Sequence, residues 1–77
     1  MNDRCIYTLE LRGWVTESEL NPLSPIQLTV TQAGPEISLL TCSTDQSGLV
    51  GLIRCLHGLG FVFLSIHRID NETIENR

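Results

Sequence analysis

An α+β fold in the order strand, helix, strand, strand, helix, strand is what this sequence predicts, and three observations carry it. Residues 5–12 alternate apolar and polar with the period of two that lays a strand against a core. Between 45 and 59 the apolar positions Leu49, Leu52, Ile53, Leu56 and Leu59 recur at spacings of three and four, which puts them on one helical face. The β-rich run FVFLSIHRI then follows at once.

In the first strand Cys5, Tyr7, Leu9 and Leu11 form the inward row, and Gly13 ends it. The segment VTESELNPLSPI offers Thr16 or Ser18 as a helix cap, but Pro22 and Pro25 limit the helix to one or two turns. Ile26, Leu28 and Val30 alternate with polar neighbours as strand two; the turn QAGPE leads at hairpin distance into ISLLTC, strand three. Gly60 stands where a left-handed residue closes the long helix, and strand four follows. Strand three, helix and strand four make a parallel crossover unit. The closed solution is a ferredoxin-like β-α-β-β-α-β sandwich: a mostly antiparallel four-stranded sheet, helices on one face, and a very short first helix. Residues 1–70 are expected to form this single domain and residues 71–77 a polar tail.

With 77 residues and 42% hydrophobic content, the chain sits near the lower size limit for a core without staples, so a partner subunit would help it. The cysteines Cys5, Cys42 and Cys55 are odd in number, lack paired spacing, and follow a polar N-terminus; a reducing cytoplasm is expected, with no disulfide framework. The formal net charge of −4 offers phosphate backbones no footprint, which argues against nucleic acid. Leu49–Ile66 is too interrupted for a membrane span, because it carries Arg54 and His57, and a mid-bilayer arginine costs roughly 3 kcal/mol.

Asp45 opens the long helix, where its carboxylate can accept from free amides and meet the positive end of the dipole; Ser43 with Gln46 is an alternative capping box. A cap explains this turn better than a catalytic acid, since no partner acid, base or nucleophile is placed nearby. Gly48 and Gly51 weaken the helix by about 1 kcal/mol each against alanine, so both are expected where the backbone approaches the sheet or a second molecule. They form no phosphate loop, which needs a Gly-Lys-Ser/Thr ending, and the chain has no lysine. Cys55 and His57 stand about 200° apart around a helix and cannot share an ion, so no metal or other cofactor is expected. Cys42 and Cys55 read as buried, inert thiols, and His57 as a solvent-facing residue.

Strand four is apolar on both alternations, with Phe61, Phe63 and Ile69 on one side and Val62, Leu64 and Ile66 on the other. Such a strand is expected in a central position. Since one sheet face carries no helix, Phe61 and Phe63 with Ile6 and Leu40 are expected to form an exposed apolar interface there.

The pattern LTCSTDQSGLVGLIRCLHGLGFVFLSIHRI, preceded by YTLELRGW, resembles a group of small bacterial proteins to which no activity is assigned. Asp45, Gln46, Leu49, Gly51, Leu56, Leu59, Gly60, Leu64, Ser65 and Arg68 carry the likeness, which spans nearly the whole chain and implies a compact α+β domain. More narrowly, Asp45, Gly48 and Leu49 are similar to the opening of an ACT regulatory domain, with Ser47 in place of its proline and Val62 in place of its asparagine. That likeness implies amino-acid binding around Asp45, Gln46, Ser47 and Gly48 at a subunit interface. In ACT domains the motif starts the domain, whereas here it ends it. The function expected is a non-enzymatic interaction or regulatory module working as a homodimer, with an ACT-type amino-acid sensor as the alternative.

Overall fold

The computed structural model describes residues 4–69. β1, Cys5–Arg12, is the strand the others are built around: it pairs antiparallel with β3, Ile37–Thr44, on one flank and with β4, Phe63–Ile69, on the other. β2, Thr29–Ala33, pairs antiparallel with the far side of β3, so the sheet is four-stranded and antiparallel in the order β2-β3-β1-β4. β4 therefore lies at an edge, not in the centre that its two-sided apolar sequence suggested. Both β3 and β4 run opposite to β1 and hence parallel to each other, with β1 inserted between them.

The inward row of β1 forms as its alternation predicts, with Tyr7, Leu9 and Leu11 buried, and Ser38, Leu40, Cys42 and Thr44 of β3 lie beside it. Two helices cover this face: α1, Glu17–Leu20, and α2, Gln46–Gly58. Leu20 from α1 and Leu52 and Leu56 from α2 join Leu9, Leu11 and Leu40 in one core. Leu59, expected on the buried helical face, is instead 53% exposed, because it caps α2 where the chain leaves the core. Gly60 then takes a φ of +100°, the left-handed turn that returns the chain to the sheet. No helix among the described residues is long and apolar enough to cross a membrane.

α1 is four residues long, capped by Thr16, whose hydroxyl accepts from the Glu19 amide at 3.2 Å. Its neighbourhood explains why β2 begins later than Ile26. The Asn21 side chain donates to the Leu28 carbonyl at 3.1 Å and accepts from the Leu28 amide at 2.7 Å, so a side chain satisfies this backbone where a strand would otherwise pair. Glu17 continues the job by accepting from the Val30 amide at 2.9 Å. At the other end of the α1 connection the buried Ser38 hydroxyl donates to the Gly13 carbonyl and accepts from the Val15 amide.

Each edge strand carries one irregularity. In β2 the partners step from Val30↔Leu40 to Gln32↔Leu39, leaving Thr31 extra; in β4 they step from Glu10↔Ser65 to Leu11↔Phe63, leaving Leu64 extra. Because an extra residue reverses the alternation beyond it, Phe63 shares the core side with Leu11 while Ile69 stands opposite Ile6 on the open face. Phe63 and Ile69 therefore do not lie on one side, as uninterrupted alternation had suggested.

The two helical glycines separate in role. A Cβ built on Gly48 collides with the Thr44 hydroxyl and falls 3.3 Å from the Thr44 Cβ, whereas a Cβ on Gly51 meets nothing within 4 Å. Only Gly48 is held by close approach, and the expectation for Gly51 toward the sheet fails because that position faces solvent. Gly51→Ala should raise stability by about 0.5–1 kcal/mol in urea unfolding, through helix propensity alone. Gly48→Ala should lower it by about 1–3 kcal/mol, because buried, β-branched Thr44 has little room to turn away. Equal gains from both would disprove the contact.

Candidate functional site

The turn between β3 and α2 brings Asp45, Gln46, Ser47 and Gly48 together, since the strand ends at Thr44 and the helix begins two residues later. Asp45 adopts an extended backbone, with φ −86° and ψ −179°, and its Oδ1 accepts from the Gly48 amide at 2.8 Å and from the Ser47 hydroxyl at 3.1 Å. Asp45, not Ser43, is thus the cap. The Gly48 amide, then the Ser47 hydroxyl, hold its carboxyl below the usual carboxylate range, and the Arg4 guanidinium adds a smaller pull in the same direction. A ligand carboxylate arriving at this helix start would have to displace the protein's own, and Thr44 already fills the space over Gly48.

The thiols divide differently from the expectation. Cys42 is buried in the core, and burial pushes its pKa up, which keeps it protonated and a poor nucleophile. Cys55 is only half-buried, contrary to its reading as a core thiol; it lies off the Leu52–Leu56 stripe and its Sγ donates to the Leu23 carbonyl at 3.1 Å. His57 is exposed in the last turn of α2, and His67 lies opposite Thr8 on the open face. Among the described residues no group of three or more histidines, cysteines or acids stands together in a metal-binding cluster.

The apolar surface lies elsewhere than expected. Of Ile6, Leu40, Phe61 and Phe63, only Ile6 stands on the helix-free face. Leu40 is fully buried under the helices, and Phe61 and Phe63 pack against the same core. Leu39, opposite Glu10, takes the open face and its neighbour Leu40, opposite Leu9, the core side; the β4 bulge turns Phe63 to the core side as well. The open face itself is mixed: Thr8, Glu10, Arg12 and Thr41 interrupt the apolar positions, and the Ser65 hydroxyl donates to Glu10 at 2.8 Å.

Instead the exposed apolar side chains gather along one edge. Of the nine large ones among the described residues, five lie between 59 and 69: Leu59, Val62, Leu64, Ile66 and Ile69, each 37–53% exposed. Leu59 and Val62 belong to the connection into β4, and the other three to β4 itself. Ile66 pairs with Leu9 and so takes the helix side, Ile69 pairs with Ile6 and takes the open side, and Leu64 shares a groove with Arg12 and Ile37. A second groove, lined by His57, Gly60, Phe61, Val62 and Phe63, runs beside the start of the strand. The signal was present in the sequence as two apolar alternations in one strand.

Two outcomes follow for these residues. Asp45→Ala should lower the melting temperature at neutral pH, and Asp45→Asn should largely preserve it, because the amide oxygen can still cap. A carboxyl whose native pKa is depressed contributes stability above its unfolded value of about 3.9 and loses that contribution as pH falls through the native one. The difference between wild type and Asp45→Ala should therefore narrow from neutral pH toward about pH 3 in thermal melts. A difference unchanged by acid would show that the charge plays no part. For the thiols, native alkylation followed by mass spectrometry should label Cys55 well before Cys42, with the two equalising in denaturant.

Comparison with protein-family models, with curated proteins and with solved structures gives no match, so the likenesses to the small bacterial group and to ACT domains are carried by their motif residues alone.

Proposed function

We propose that this chain is a non-enzymatic protein-interaction module, a ferredoxin-like domain that works as a homodimer. The strand order β2-β3-β1-β4 with antiparallel neighbours supports the ferredoxin-like description, as does the meeting of both helices in one core. The interaction reading is carried by one observation: five of the nine exposed large apolar side chains lie in the eleven residues from 59 to 69. Clustered apolar exposure of this kind marks interaction surfaces, whereas scattered residues do not. Of the groups suited to chemistry, Asp45 is engaged in capping α2 and Cys42 is buried, with burial raising its pKa. Three free thiols suit a reducing cytoplasm.

Burying what remains exposed of these side chains would contribute roughly 1 kcal/mol apiece, and each counts twice in a twofold pair. Association costs roughly 4–15 kcal/mol, so the apolar surface alone about balances it and any backbone pairing tips the equilibrium toward the dimer. An amino-acid sensor of ACT type has less support, because its ligand would compete with Asp45 for the Gly48 amide.

Sedimentation equilibrium from about 1 to 100 μM should show a monomer–dimer equilibrium, and thermal melts should be unmoved by a panel of the common amino acids. A monomer throughout that range would count against self-association. A melting temperature raised by one amino acid, and not raised in Asp45→Ala, would favour the sensor instead.

A further inference from the structure

Resting on the homodimer reading, we infer that two copies join edge to edge through β4, extending two four-stranded sheets into one antiparallel sheet of twice that width. The two edges of the monomer are unlike. Both carry a bulge, but β2 is only five residues long and has Glu17 on its Val30 amide and Asn21 on the backbone of Leu28 just before it. β4 is seven residues long, contains no proline or glycine, and is the last strand of the sheet on its side. Its side chains are apolar on both faces, and within one chain it has a strand neighbour on one edge only.

Pairing with a second β4 gives that edge a strand neighbour and sets apolar side chains of the two copies side by side on both faces. An antiparallel pair is self-complementary about a twofold axis, since each strand offers the other the same backbone pattern in reverse. With the axis near Ile66, the middle of Phe63–Ile69, the two Ile66 side chains meet on the helix side, while Leu64 and Ile69 gain apolar neighbours on the open side. A pairing of open faces would instead bury the charged Glu10 and Arg12.

Paired substitutions test this by sedimentation. Ile66→Lys places a like charge twice beside the axis and should weaken dimerisation at least about tenfold. Ile37→Lys, on the open face of β3, should change it by less than about twofold. Hydrogen exchange on the wild type gives a readout independent of variant folding: amides of β4 should slow as concentration rises through the dimer range, and those of β2 should not. A dimer that tolerates Ile66→Lys and parts with Ile37→Lys, or one whose β4 amides exchange equally fast at all concentrations, overturns edge pairing and leaves the homodimer reading standing. A monomeric wild type overturns both.

Discussion

Everything in this domain is hung on the insertion of β1 between β3 and β4. All eight of its residues pair with β3, and its other flank holds β4 as far as the bulge beyond Glu10. The same strand supplies Leu9 and Leu11, fully buried, as the floor on which Leu52 and Leu56 of α2 rest. Backbone pairing and apolar burial are thus concentrated in one segment that joins the chain's first strand to its last. Such a topology stands on long-range contacts, so little of the sheet can persist if β1 is withdrawn.

The strongest periodic segments were legible in the sequence. The alternation of residues 5–12 and the three-and-four spacing through α2 reproduce the observed burial of Tyr7, Leu9, Leu11, Leu52 and Leu56. Asp45 and Gly60 mark the two ends of α2 as their chemistry implies. What failed depended on events that alternation does not record. A single extra residue, Leu64, exchanges the two sides of β4, and a side chain, Asn21, takes the backbone bonds that would have begun β2 at Leu28. The position of β4 was misjudged for a related reason. Two-sided hydrophobicity does not by itself fix a central position: β4 lies at the edge, with Phe63 packed on the core and Leu64, Ile66 and Ile69 exposed.

The candidate ligand turn and the apolar edge illustrate opposite outcomes of the same physical rule, that exposed bonding capacity must be met. At the start of α2 the protein meets it internally, with Asp45 on the Gly48 amide and Thr44 against Gly48. Along β4 the chain ends its sheet with apolar side chains on both sides of the backbone. A small domain has too few residues to finish every surface; this one caps its helix start and sets Glu17 on one amide of β2.

The bond from the Val30 amide to Glu17 has a consequence for assembly size. A sheet with two available edges can add copies at each end without limit and grow into a fibre, whereas one with a single available edge is complete as soon as that edge is filled. If two copies join through β4, the Glu17 bond on the Val30 amide and the Asn21 bonds on Leu28 would leave the β2 side less able to take up a further copy. The short helix, which gives the core Leu20, would on that reading also limit how many copies assemble.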